Sequence, residues 1–230
     1  MRRLKALRPF TSRDLDLYTD SQEAVAKAAD ALHCERFLGD AGSPDIVLGG
    51  LWLPEVEGQS PLVQFLNGPI GIKNSAEIFQ TQENYSWPKE DLVLPVMHPV
   101  LTLESKLKCI YELPQKKRND LRHLKMALEY VPCYIADAVF EGDDKSALKM
   151  IKRIKRLCLS PEAVRCFFDH NIEIERSIPI EEISKSVIRK LQSFFQTEWP
   201  LMKTQISRRR EKEQIKRDRI KNSKAVVRPT

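Results

Sequence analysis

From His98 onward, apolar residues recur every three or four positions for about a hundred residues. Upstream of Met97 they gather instead in short runs that alternate with polar residues or stop at Gly and Pro. The first pattern is that of helices with one apolar stripe, the second that of strands. Strands first and helices second leaves few architectures open. It predicts an α+β chain, with a small mixed sheet in the N-terminal half and a helical C-terminal half, and argues against a doubly wound sheet.

Within the first half, Phe10-Thr-Ser-Arg-Asp-Leu-Asp-Leu-Tyr18 sets Leu15 and Leu17 against Asp14 and Asp16, a strand with one apolar and one acidic face. Thr19-Asp-Ser21 offers N-cap chemistry for an alanine-rich helix over residues 24–32. Strands follow over 46–53 and 62–66, joined as a hairpin by a turn-rich loop, and Gly49-Gly50 marks a bulge or a close backbone approach. Residues 92–97 read as an extended piece whose Pro95 suits a sheet edge. In the second half, helices are expected from Leu101 to just before Pro114, from Leu121 to a kink or end at Pro132, and from Asp143-Asp144 through Leu157. Two more follow, from Ser160-Pro161 to Phe168 and over 180–199. The expected organisation is a core over 1–97, a helical domain over 98–206 and a charged tail over 207–230.

No run approaches the roughly 20 apolar residues of a membrane helix, and the basic start Met1-Arg2-Arg3 is not followed by a signal-peptide pattern. The five cysteines (Cys34, Cys109, Cys133, Cys158 and Cys166) are odd in number and contain no Cys-x-x-Cys pair. They read as reduced core thiols and point to the cytoplasm. The four histidines lack metal-ligand spacing. Residues 208–224 hold nine Lys/Arg and three acids, so this tail carries the whole net charge of +6. Such a run reads either as a solvated helix or as an electrostatic contact with nucleic acid or an acidic partner; with no aromatic residue in it, such a contact would be blind to sequence.

The sharpest chemical signal is Asp14-x-Asp16. Alternate residues of a strand project from one face, so two carboxylates at i and i+2 can reach one hard cation such as Mg2+, which in turn can orient nucleotide phosphates. The plainer reading is a solvent-facing strand.

Thr11-Ser-Arg-Asp-Leu-Asp-Leu-Tyr18 resembles the aspartate-x-aspartate strand of the minimal nucleotidyltransferase superfamily, in particular bacterial proteins like the abortive-infection nucleotidyltransferase toxins. His98-Pro-Val-Leu-Thr-Leu-Glu-Ser-Lys106 is similar to the segment that carries a basic residue in that family. Lys116-Lys-Arg-Asn-Asp120 is similar to its basic, aspartate-containing helix start, and Trp199-Pro-Leu-Met202 to the ending of some members. The resemblance implies that Asp14 and Asp16 bind Mg2+ and that Lys106 approaches the phosphates of a nucleoside triphosphate. It also implies that Arg118 and Asp120 shape the nucleotide pocket, and that a nucleoside monophosphate passes to an RNA, protein or small-molecule acceptor, as in toxin–antitoxin systems. Without the resemblance, Lys106 reads as an exposed helix lysine and Lys116–Arg118 as a solvated interhelix loop.

Two departures from the family pattern are visible. Its glycine turn lies upstream of the paired aspartates, where none of the thirteen residues before Asp14 is glycine; the turn would fall at or before Met1. Its third carboxylate would align with Gln64 in Val63-Gln-Phe-Leu66, and an amide brings neither charge nor a base. Asp45 and Glu57 are the other acids available. The sequence therefore supports a metal-dependent nucleotidyltransferase-like protein with a degenerate site or a non-catalytic binding module on the same fold; a third reading, an unrelated helical regulatory protein, requires the ordered resemblance to be accidental.

Overall fold

The protein is described from a computed structural model, over residues 14–39, 47–55, 60–72, 74–87, 92–116 and 118–226. The expected Asp45 and Glu57, and residues 10–13 of the first strand segment, lie outside the described residues. The architecture is α+β, with the sheet in the N-terminal half and helices in the C-terminal half. The backbone divides after Met97 into two compact units. Among the described residues no helix is long and apolar enough to cross a membrane.

The first unit holds β1 (Asp14–Tyr18), α1 (Gln22–Leu32), β2 (Glu35–Leu38), β3 (Val47–Trp52) and β4 (Leu62–Leu66). They form a four-stranded mixed sheet of order β1-β4-β3-β2, with β1 parallel to β4 and the other pairs antiparallel. The crossover through α1 makes the parallel pairing possible. Ser21 caps α1 by accepting the Glu23 N–H at 3.1 Å. Val25 and Ala29 on α1 are buried with Leu51, Val63 and Phe65, so α1 covers one face of the sheet. Leu15 and Leu17 pair with Val63 and Phe65 and belong to that face, but at the edge of the sheet they stay 55% and 39% exposed.

The glycine pair behaves as its position suggested. The β3–β4 register shifts between Val47 and Gly49, which marks a bulge. A side chain at Gly50 would come within 2.5 Å of Phe37 Cε1 and 2.8 Å of the Val63 carbonyl. Three elements differ from expectation, because β2, α2 (Ser75–Gln80) and β5 (Glu83–Trp87) carry too little periodic apolar pattern to be read. β5 pairs antiparallel with β6 (Leu92–Val96) in a two-stranded ribbon, and Pro95 sits opposite Asn84.

The second unit is helical. His98 caps α3 (Pro99–Glu112) through Nδ1, which accepts the Val100 N–H at 3.1 Å. α4 spans Asp120–Phe140 and buries Leu124, Ala127, Val131 and Ile135. Of the kink or end expected at Pro132, the end is corrected, since the helix runs eight residues beyond it. Buried side chains on both sides of the proline hold the turn together. Asp143 caps α5 (Asp144–Cys158) and Ser160 caps α6 (Pro161–His170), each accepting an N–H at 3.1 Å. The 3-10 turn Ile174–Ser177 follows.

The single helix expected over 180–199 is also corrected. It is broken into α7 (Ile180–Lys185) and α8 (Arg189–Ser193), then a π-helical turn at Phe194–Glu198 that leads into α9 (Trp199–Val226). At the break, Ser186 Oγ accepts the Ile188 N–H at 3.2 Å, and Gln192 Nε2 donates to the carbonyls of Ser184 and Ser186 at 2.9 and 2.6 Å. Those side chains satisfy backbone groups that a continuous helix would have paired. The π turn comes just before Pro200, which has no N–H to give; Trp199 reaches back five residues to the Phe194 carbonyl.

Ion pairs tie the helices together. Lys108 meets Glu162 at 2.5 Å, Arg153 meets Glu104 at 2.6 Å and Lys155 meets Glu198 at 3.2 Å. α9 contributes Met202 and Ile206 to the core. Its basic stretch is not a uniformly solvated helix. Arg210 bonds Glu175 at 2.8 Å and lies 3.9 Å from the centre of the Phe167 ring, Arg217 bonds Asp169 at 2.9 Å, and Arg209 donates to the Leu159 carbonyl.

Two outcomes are expected. Gly50→Ala will lower stability by about 1–3 kcal/mol, the usual cost of overpacking, in thermal or urea melts. Adding Phe37→Ala will restore only part of it, because the Val63 carbonyl remains in the way. Glu162 will sharpen the acid sensitivity of the fold. Burial raises its carboxyl pKa, but the hydrogen bond and charge of Lys108 outweigh that and hold it below the ordinary glutamate value. A lowered pKa stabilises the fold above the unfolded-state pKa and stops doing so as pH falls. Melting temperature should therefore fall more steeply between about pH 5 and pH 3 in the wild type than in Glu162→Gln.

Candidate metal and nucleotide site

β1 forms where the sequence alternates, and its parallel pairing with β4 gives each residue a defined neighbour. Asp14 pairs with Leu62 and Asp16 with Gln64; across β4, Gln64 pairs with Gly50 and Leu62 with Trp52. Since α1 covers the face of Leu51, Val63 and Phe65, Asp16, Gln64, Gly50 and Trp52 belong to the opposite face. Asp16 is exposed on that face and Gln64 is half-buried; the Asp14 side chain lies outside the described residues.

The residue suspected of replacing a third carboxylate is thus the lateral neighbour of Asp16, roughly 5 Å away across the ladder by ordinary strand spacing. Glu35 shares the face but sits on β2, three strands from β1 and about 14 Å off by the same spacing, too far to complete a cation site. Among the described residues no group of three or more His, Cys, Asp or Glu side chains is poised around a common point.

Sequence reading passed over Trp52. It is 47% exposed on the Asp16 face, two strands from Asp14, with its ring centre 6.4 Å from that of Phe37. A tryptophan ending an otherwise buried strand was the available signal, although it becomes informative only once the register is known.

The remaining predicted residues belong to the second unit. Lys106 is half-buried on α3. Arg118 grips Asp120 with two hydrogen bonds, Nε to Oδ2 at 2.5 Å and Nη2 to Oδ1 at 3.2 Å. Asp120, in the first turn of α4, is only 2% exposed. Gln115 Nε2 also approaches Oδ2 at 3.4 Å and donates to the carbonyls of Cys109 and Leu113 at 2.7 and 3.0 Å. The arrangement closes the α3–α4 loop, joining carbonyls at the end of one helix to a carboxylate that opens the next. The expected solvated loop is therefore a clamp at Arg118, while Lys116 is exposed; Lys117 lies outside the described residues.

All five cysteines are free thiols. Cys109, Cys158 and Cys166 are buried in helices; burial raises the Cys166 pKa to about 11 and pushes those of Cys109 and Cys158 upward as well. They are packing residues and not nucleophiles. No protein-family model matches the chain, and no curated protein matches it.

Asp120→Ala should destabilise the helical unit by about 1–3 kcal/mol, the worth of charge-assisted hydrogen bonds in a buried setting. Chemical denaturation with Asp120→Asn alongside will check this, the amide recovering part of the loss by keeping the shape and one acceptor.

Proposed function

We propose that this chain is a nucleotidyltransferase-like protein that binds a nucleoside triphosphate with Mg2+ at the β1–β4 edge of its sheet. The observation that carries the reading is the pairing of the Asp14-x-Asp16 strand with β4, which sets Gln64 beside Asp16 on the face opposite α1. Asp14 and Asp16 would hold the ion, whose charge offsets that of the phosphates. Trp52, on the same face, offers an aromatic surface to the base. An acceptor hydroxyl would attack the α-phosphorus and pyrophosphate would leave, with RNA or protein as the acceptor. Arg118 and Asp120 would act within the helical unit, by fixing the α3–α4 loop. The five free thiols suit a cytoplasmic protein.

Gln64 favours a second reading, a non-catalytic module that keeps the fold and contacts a protein or nucleic acid through its helical unit and residues 208–224. An amide can coordinate Mg2+ only as a neutral ligand and cannot take a proton. Binding is therefore expected to outlast turnover.

Calorimetry separates the readings. The wild-type chain should bind a nucleoside triphosphate with Mg2+ and lose that binding in EDTA or in Asp14→Ala/Asp16→Ala, with unchanged circular dichroism. No binding by the folded wild-type chain would sink the proposal. Where binding is seen, Gln64→Asp should tighten Mg2+ binding and raise transfer from an α-labelled nucleotide, by about tenfold or more in each. Tighter metal without any transfer would select the binding module.

A further inference from the structure

The ten lysines and arginines of α9 divide into groups that its charge count does not reveal. Arg209, Arg210 and Arg217 are turned to the fold, held by the Leu159 carbonyl, by Glu175 and by Asp169. Arg208, Lys212, Lys216 and Arg219 recur at intervals of four, four and three residues, so they fall on one face. All four are exposed, and among the described residues none has an ion-pair partner. At 1.5 Å of rise per residue they make a straight cationic row about 16 Å long with a step of about 5–6 Å.

The acids of α9 stand outside this row. Glu213 is bonded to Arg217 at 3.1 Å, Asp218 accepts from Gln214 at 2.9 Å, and Glu211 lies at the margin. Like charges three or four residues apart repel and weaken a helix. The row therefore costs α9 stability, and a polyanion laid along it would relieve that cost.

We infer that this row is a docking surface for the phosphodiester backbone of a single-stranded polynucleotide. A protein partner would need an apolar anchor, and a membrane surface would need a coherent apolar face. The exposed apolar residues of α9 (Leu201, Ile215 and Ile220) provide neither, being single and at least five residues apart. A phosphate chain needs only regularly spaced cations. A one-sided row follows one strand, and with no aromatic residue on α9 beyond Trp199 the contact is electrostatic and independent of base identity. This deepens the reading in which the helical unit contacts nucleic acid and owes nothing to the metal site.

The test is fluorescence anisotropy of a labelled oligouridylate of about 20 nucleotides with the full chain, in EDTA and without nucleotide, across a salt series. EDTA silences the Asp14/Asp16 site, so either proposal can fail without the other. Four phosphate contacts predict that log affinity falls against log salt with a slope of about −3. Arg208→Gln/Lys212→Gln/Lys216→Gln/Arg219→Gln should weaken binding by about tenfold or more and flatten the slope, with a melting temperature at or above that of the wild type. Arg217→Gln should lower the melting temperature and leave the slope unchanged. Unlabelled oligothymidylate should compete as well as oligouridylate, and a duplex less well. The inference is overturned by no binding, by full affinity in the folded quadruple variant, by a duplex that competes better, or by polyglutamate or anionic vesicles that compete as well as the oligonucleotide.

Discussion

Four residues of α4, Leu124, Ala127, Val131 and Ile135, are fully withdrawn from water, and α3, α5, α7 and the 3-10 turn close over this helix. Burying a large aliphatic side chain contributes about 1.5–3 kcal/mol. Leu124, Val131 and Ile135 together therefore outweigh the roughly 3 kcal/mol that a proline costs inside a helix. That balance is why α4 runs through Pro132. The clamp of Arg118, Gln115 and Asp120 follows from the same helix, since α4 must begin where α3 can pack along it, and the short loop between them has to satisfy both helix ends.

The legible parts of this fold were those where local chemistry and packing agree. Asp143 and Ser160 cap the helices that were expected to begin there. The paired strands β3 and β4 followed from apolar runs and the glycine pair. What the sequence hid was decided by contacts distant along the chain. β2 is mostly exposed and carries the sequence Glu-Arg-Phe-Leu, which has no strand pattern until Phe37 is seen lying over Gly50. The break between α7 and α8 lies within an amphipathic run and becomes intelligible only through Gln192, whose amide takes over two carbonyls.

Charge misled in a similar way. A run of like residues reads as one object in sequence, yet some cations of α9 pair with the fold and others face solvent. Arg210 sits between Phe167 and Glu175, where its planar guanidinium can stack and pair at once. Arg208, two residues earlier, faces away. The distinction needs a helix, its phase and a neighbouring surface, and only the first was readable beforehand.

The proposed site shows the opposite balance, for its residues stand out in the sequence and their lateral relation does not. Asp14, Asp16 and Gln64 were singled out from sequence, and the register makes Asp16 and Gln64 lateral neighbours. In the proposed reading the two carboxylates attract a hard cation and, through it, a triphosphate. Holding that cation against the charge that builds up during transfer draws on each further ligand, and an amide there contributes a dipole where a carboxylate would contribute a full charge. The cost of Gln64 should accordingly fall more heavily on turnover than on nucleotide binding, because only the reacting state concentrates charge at the metal. Under the proposed reading, an amide in that place shifts the site from transferring a nucleotide toward holding one.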